Sequence, residues 1–370
     1  MSCLVCGSRD KIISKHLGVC RDCIINNYPS VIPYIEKIRE QARKKFDLPI
    51  KIPHTTNGKK CGMCGNDCRL NDGELGYCGL VFNENGHIKR HTNANLGFLH
   101  WYFDPNPTNC VGSWSCPAGT GCGYPEFAYK NGPEYGYYNL AVFLAACNSD
   151  CLYCQNYSYK EMVRLKLKEN FITPQQLVDN IHPKISCVCY FGGCPSVQMP
   201  FTIKVNKLVS ELARKENRPI RICYESNGNF TWPLLKKAAG QVLDSGGCIK
   251  FDLKCFNENL NLALCGISNK LVIDNFKKVS RYIDERKNFP FLIASTLLVP
   301  GYITPDEIEQ IASFMVQIDE TIPYSLLGFS PCFELSDLPT TSRKDAFACK
   351  DAAEKAGLKN VRIGNIHLLR

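Results

Sequence analysis

Long apolar runs are missing from this chain of 370 residues: although 45% of it is apolar, nothing approaches the ~20 consecutive residues a helix needs to cross a bilayer. Its first residues also lack the charged and apolar regions of a signal peptide. Together these absences point to a soluble chain, with the cytoplasm as the expected compartment. Histidine is scarce, at 7 residues, and His91 and His100 stand alone, so neither is assigned as a ligand or proton donor. Charge of one sign is not in large excess. Lys and Arg number 44 against 35 for Asp and Glu, which suits an acidic redox partner but is explained first by a solvated surface. Nucleic acid is not an expected partner. Part of the charge lies in the helix-like run 34–46, YIEKIREQARKKF, which reads as an exposed amphipathic helix leading into a linker that ends near Lys60.

What the chain has in plenty is cysteine, 23 in all. In a short secreted chain this number means disulfides. In a long chain without an export signal, metal ligation is the better account, in a reducing and oxygen-poor cell. The densest group is Cys147-Asn-Ser-Asp-Cys151-Leu-Tyr-Cys154, a C-x3-C-x2-C triplet at the end of the apolar run 139–146. Structural zinc is closed by four ligands, usually from paired C-x2-C knuckles, and only three cysteines sit here. Three thiolates at this spacing can hold three irons of a 4Fe-4S cube and leave the fourth iron open to a small molecule and to electron transfer.

Two further arrays have four cysteines each. Cys3-x2-Cys6 and Cys20-x2-Cys23, thirteen residues apart, form a zinc-ribbon pattern in which zinc is expected and a rubredoxin-like iron is the alternative. So short a segment depends on bound metal to fold. Cys61, Cys64, Cys68 and Cys78 follow as C-x2-C-x3-C-x9-C, whose spacing does not choose between zinc, one iron and an auxiliary iron–sulfur cluster. The aromatic, proline-bearing stretch 100–123 reads as an irregular loop. Its Cys110, Cys116 and Cys122 either complete an auxiliary cluster, touch the substrate or are ordinary thiols.

From residue 139 onward apolar strand-like runs alternate with helical ones. Strands are expected at 139–147, 185–191, 219–225, 247–253, 291–299 and 323–329, and helices at 174–182, 200–215, 231–240, 271–286, 305–316 and 342–357. Six such units predict an α/β fold, a partial (β/α)6 barrel of the TIM type, with functional groups at the carboxyl ends of the strands. The tail 360–370 reads as one more extended segment. Four regions result: a zinc-ribbon-like segment (1–30), a helix and linker (31–60), a cysteine-rich metal region with its aromatic loop (61–138), and the barrel (139–370).

A C-x3-C-x2-C triplet after a first strand, with the aromatic Tyr153 before its last cysteine, resembles the radical S-adenosylmethionine (SAM) superfamily. With the Cys61 array ahead of it, the chain from Cys61 to Arg370 is similar to the AmmeMemoRadiSam branch of proteins that resemble pyruvate formate-lyase activating enzymes; residues 1–60 lie outside the likeness. The resemblance implies a 4Fe-4S cluster whose open iron binds SAM. In Phe191-Gly192-Gly193-Cys194-Pro-Ser, the glycines stand where the superfamily has the G-G-E-P segment that bonds the methionyl amine, and Cys194 replaces the glutamate. Glu225-Ser226-Asn-Gly resembles the activating enzymes' D-T-N-G and Asp252-Leu-Lys254 their D-L-K, which implies that Glu225, Ser226, Asp252 and Lys254 surround the SAM carboxylate. Main-chain groups near Tyr153, Gln155 and Asn156 are implied at the adenine. Val299-Pro-Gly301 matches as well, but Ser295 and Ser330 stand where activating enzymes place arginine and histidine.

The function implied is that of a radical SAM oxidoreductase. A one-electron donor such as ferredoxin or flavodoxin reduces the cluster, and SAM is split into methionine and a 5′-deoxyadenosyl radical. That radical takes hydrogen from a peptide or small-molecule substrate. No side chain is assigned as a catalytic acid, base or nucleophile. The alternatives are activation of a glycyl-radical enzyme, carbon–carbon coupling of lipid chains, suggested by the aromatic loop, and a non-catalytic iron–sulfur electron carrier. The last needs neither an open iron nor the set Gly192, Glu225 and Asp252.

Overall fold

Runs rich in β-branched and aromatic residues, bounded by Gly, Pro and Asn, make the strands of this chain, and a computed structural model describes all 370 residues. Two small antiparallel pairs come first: β1 (Lys59–Lys60) with β2 (Arg69–Leu70), and β3 (Val81–Glu84) with β4 (His87–Arg90). The strands β5 (Gly97–Pro105), β6 (Tyr138–Leu144), β7 (Phe171–Ile172), β8 (Ile185–Gly192), β9 (Arg221–Ser226), β10 (Ile249–Asp252), β11 (Leu292–Leu298), β12 (Tyr324–Gly328) and β13 (Val361–Gly364) form one sheet, ordered β13-β12-β11-β10-β9-β8-β6-β5-β7. From β6 to β13 the pairing is parallel throughout. Helices Met199–Glu216, Trp232–Asp244, Lys270–Ser280, Pro305–Val316 and Arg343–Lys355 carry the chain back between strands. This is the expected α/β architecture, an open parallel-rich sheet, with β13 as the extended tail. No helix is long and apolar enough to cross a membrane.

Strand alternation divides the sheet into two faces. In β10, Phe251 packs on Phe276 of the helix layer, with ring centroids 5.4 Å apart. Lys250 and Asp252 therefore face the opposite, inner side. Register places Glu225 beside Lys250 and Ser295 beside Asp252, and Cys189 beside Cys223. Around these positions the inner face carries charge and thiol, with Ile293 beside Lys250 as an aliphatic neighbour.

Two expectations need correction. The stretch 100–123 is not irregular throughout, because it begins inside β5, which pairs antiparallel with β6 from Leu99 opposite Leu144 to Pro105 opposite Tyr138. The buried edge of β6 must find backbone partners, and the β-forming Phe98, Trp101, Tyr102 and Phe103 supply them. The helix expected to be exposed at 34–46 runs instead over Tyr28–Lys44 and buries Val31, Ile35, Ile38 and Ala42 together with Arg39 and Arg43. Ile35 and Ile38 join Cys3, Leu17, Cys20 and Ile24 in the same core of 71 buried residues that fills the sheet.

Residues 106–137 cross the amino ends of the parallel strands. Asn106 Nδ2 donates to Ser186 Oγ at 2.8 Å, Trp114 Nε1 to Ser325 Oγ at 2.9 Å, and Ser325 Oγ to the Val111 carbonyl at 2.7 Å. Buried Arg221, the first residue of β9, forks onto buried Glu134 at 2.8 and 2.5 Å. Removing one partner of such a pair strands the other charge, so Arg221→Met is expected to lower unfolding stability by about 3–5 kcal/mol. The double variant Arg221→Met with Glu134→Leu should recover most of that loss in urea denaturation; equal losses in both would show that the pair is not what holds this segment.

Candidate functional site

The loop that follows β6 carries Cys147, Cys151 and Cys154 and is tied down on every side. Asn66 Nδ2 donates to the Asn148 carbonyl and Asn148 Nδ2 to the Asn229 carbonyl, both at 2.7 Å. Asn227 Nδ2 donates to Asn148 Oδ1 at 2.8 Å and to Ser149 Oγ at 2.7 Å. Backbone N–H groups of Asp150 and Leu152 reach the Cys265 and Leu264 carbonyls at 2.8 and 2.9 Å, and those of Glu334 and Leu335 reach the Leu152 carbonyl at 2.9 and 3.1 Å. With the backbone so engaged, the sulfurs are what the loop has left to offer. Cys147 and Cys151 are buried and Cys154 half-buried. Cys194 beside Cys147, and Cys265 beside Cys151, push those thiols up, and burial pushes Cys154 up to about 12. Such thiols keep their protons until a cation displaces them. Three thiols on one hydrogen-bonded loop are the donor set that an iron–sulfur cluster takes.

Around this loop the structure gathers most of the residues singled out from sequence. Gly193 follows β8 so close to the loop that a Cβ there would lie 1.8 Å from the Ala146 carbonyl oxygen, and its N–H bonds the Leu144 carbonyl at 2.9 Å. Gly192 has φ +107°, a backbone state that favours glycine. Asn156 Nδ2 donates to the Gly192 carbonyl at 3.3 Å. Ser226 is buried with its hydroxyl 3.2 Å from Cys194 Sγ. Asp252 accepts from Lys254 Nζ at 2.9 Å and from Ser295 Oγ at 2.7 Å, so the serine found in place of an arginine orients this carboxylate. Tyr153 is buried, its hydroxyl 3.3 Å from Cys265 Sγ. Asp252, Lys254, Ser149 and Asn227 line one narrow cavity with Cys255 and Cys265. Glu225 is engaged differently from the others. Its Oε1 pairs at 3.1 Å with buried Lys250, which also donates to Cys110 Sγ at 2.7 Å and Cys189 Sγ at 3.4 Å. Cys110 therefore lies on the inner face below the strand ends, in the segment that closes their amino side.

One group was not anticipated. Asp150, inside the cysteine loop, is fully buried and receives Arg39 Nη1 at 3.2 Å, Arg43 Nη1 at 3.4 Å and the Lys160 ammonium. Burial alone would push its carboxyl up, but Lys160, Arg43 and Arg39 outweigh burial and hold it at about 2. Arg39 also donates to the Ala263 and Leu262 carbonyls at 2.6 and 3.0 Å. A lone carboxylate among the three closely spaced cysteines was the available hint; its partners, more than a hundred residues upstream in two cases, were not visible.

The four-cysteine sets sit on either side. The sulfurs of Cys3, Cys6, Cys20 and Cys23 lie within 4.8 Å of one another, with Cys3–Cys23 and Cys6–Cys20 both at 3.8 Å. Thiolates at the corners of a tetrahedron with ~2.3 Å metal–sulfur bonds stand ~3.8 Å apart, so this set fits a single ion. Burial works against charge on Cys3, but backbone groups of Cys6, Cys20 and Val5 bring its thiol down to about 6. Cys61, Cys64, Cys68 and Cys78 line a second small cavity that includes Asn148 of the triplet loop. Cys116 and Cys122 bond the Ser113 and Ser115 carbonyls of their own segment and do not join either set.

A family model described as the radical SAM superfamily matches residues 142–315. A relative named as a glycyl-radical enzyme activating enzyme of Methanocaldococcus jannaschii is 30% identical over 190 residues, covering 51% of this chain and 67% of the relative. An uncharacterized protein of the same organism is 21% identical over 322 residues, 84% of this chain and 82% of its own length. Among solved structures, a domain of pyruvate-formate lyase-activating enzyme from Bacteroides vulgatus overlays on 48% of this chain and 98% of its own, with 16% identity and a TM-score of 0.37.

The segment between the two ribbon cysteine pairs braces the wall behind the three-cysteine loop. Ser14 Oγ donates to Asp337 at 2.8 Å and His16 Nδ1 lies 2.7 Å from the Glu334 carbonyl, next to the residues that bond Leu152. Replacing Cys6 and Cys20 by Ser is expected to release metal there and to speed amide exchange at Leu152, Glu334 and Leu335 as well as in residues 1–26. Unchanged exchange at these three amides, measured by mass spectrometry, would show that the ribbon does not support this wall.

Proposed function

The chain belongs to the radical SAM superfamily, and from that premise we propose that it is an oxidoreductase in which Cys147, Cys151 and Cys154 ligate a 4Fe-4S cluster that splits SAM. When bound, cluster and SAM together supply one electron and a carbon-centred radical able to take hydrogen from an unactivated position. The protein's part is to hold and orient. Glu225, Ser226, Asp252 and Lys254 take the zwitterionic amino-acid end of SAM, whose charges must be paired on leaving water. Gly192 and Gly193 let the backbone approach it, and Tyr153 and its neighbours flank the adenine. A ferredoxin- or flavodoxin-class donor supplies the electron, and the substrate is a peptide, protein or small molecule. Zinc at Cys3, Cys6, Cys20 and Cys23, and zinc or iron at Cys61, Cys64, Cys68 and Cys78, complete the metals of this reading. The observation that carries it is the convergence of the three-cysteine loop, the glycine pair, Ser226 and Asp252 with Lys254 at the carboxyl ends of four neighbouring strands, β6, β8, β9 and β10.

A second reading, activation of a partner enzyme by forming a glycyl radical, is favoured by the name of the 30% identical relative. Ser295 and Ser330 count against the standard form of that activity, since both replace residues that activating enzymes carry there.

Anaerobically reconstituted protein, given dithionite and SAM, is expected to yield 5′-deoxyadenosine, and Cys151→Ala to yield none. Asp252→Asn should weaken SAM binding at least tenfold, about 1.4 kcal/mol, in equilibrium dialysis. Product at wild-type level from Cys151→Ala, or no product from the wild type, would sink this reading.

A further inference from the structure

We propose that Arg39, Arg43 and Lys160 are an electrostatic set that raises the reduction potential of the cluster held by Cys147, Cys151 and Cys154. The inference rests on the reading above that these cysteines hold one. The three cations come from two helices, Tyr28–Lys44 and Ser158–Leu165, and converge on the single carboxylate of Asp150. Asp150 is the only ion-pair partner that any of them has. The other ion pairs facing the site, Lys254 with Asp252 and Lys250 with Glu225, are each neutral. Three positive charges against one negative leave a surplus of two.

Locking a loop does not need that surplus. At the other end of the sheet, Arg221 on Glu134 does so with one charge of each sign. Nor is the surplus lost to solvent, because Asp150 and Lys160 have no exposed side-chain surface and Arg43 has 1%. The Tyr77 ring, 3.6 Å from the Arg43 guanidinium carbon, and the Phe333 ring, 4.8 Å from Lys160 Nζ, spread the charge without cancelling it. Uncompensated buried cations are strongly unfavourable unless an anion sits nearby. The groups that become anionic on binding metal are the three thiols of the same loop and, past the Tyr77 carbonyl that accepts from Arg43 Nη2 at 2.6 Å, the Cys61 set ending at Cys78. One-electron reduction by a ferredoxin-class donor adds one negative charge and, without proton uptake, no positive one. In a low-dielectric surrounding, each fixed positive charge favours that electron.

The test is a potentiometric titration of the anaerobically reconstituted full chain, followed by electron paramagnetic resonance, for wild type, Lys160→Met and Lys160→Arg. At a fixed applied potential Lys160→Met is expected to lower the ratio of reduced to oxidised cluster about tenfold, ~59 mV for a one-electron couple, whereas Lys160→Arg keeps the wild-type ratio. An unchanged ratio in Lys160→Met carrying its full iron complement overturns the inference and leaves the cluster assignment standing, as does an equal fall in Lys160→Arg, which would mark a steric effect. If Lys160→Met does not take up iron, Arg39→Gln decides: a fall supports the inference and no change overturns it. Wild type with neither iron nor a cluster signal would overturn the underlying reading instead.

Discussion

Three cations closing on the buried carboxylate of Asp150 hold the cysteine loop against the rest of the molecule. Arg39 brings the helix Tyr28–Lys44 onto the loop and, through the Leu262 and Ala263 carbonyls, onto the end of helix Glu258–Cys265. Arg43 ties in Tyr77 and with it the Cys61 array. Lys160 adds the helix that follows the loop. One carboxylate thereby links four segments that are far apart in sequence. The carboxylate is more than matched by its three cations, and the carbonyls of Leu262, Ala263 and Tyr77 take further guanidinium N–H groups.

The sheet separates two environments. At its carboxyl ends lie the close-packed Gly192 and Gly193, half-exposed carboxylates and the cysteine loop; at its amino ends lies the segment 106–137, pinned by Trp114, Asn106 and the Arg221–Glu134 pair. Between them, Lys250 connects Glu225 above with Cys110 and Cys189. The cysteine loop thus lies on the carboxyl side, where parallel α/β sheets leave their crevices.

Local patterns were readable wherever a residue's role depends on its neighbours in sequence. All six expected strands appear within about three residues of their bounds, and all six helices appear, though the one expected at 271–286 ends at Ser280 and the one at 174–182 ends at Val178, because period-2 and period-3.6 patterns report burial directly. The Cys3 to Cys23 spacing announced a four-sulfur site, and the four sulfurs do meet. Legibility failed where a distant partner decides. Phe98, Trp101 and Tyr102 became strand β5 only because the edge of β6 lay open to them, and Arg39 and Arg43 look like solvated helix charges until Asp150 is brought beneath them.

By itself, then, the sequence determined the alternation of strand and helix, the three-cysteine motif and the glycine turn behind it, since each follows from spacing within a few turns of chain. Only the tertiary structure decided which charges are buried, that Glu225 faces Lys250 rather than Lys254, and that Cys110 sits below the strand ends. The reason is physical: a charge or thiol takes its character from the dielectric and the partners around it, and those are assembled by contacts between residues tens to hundreds of positions apart.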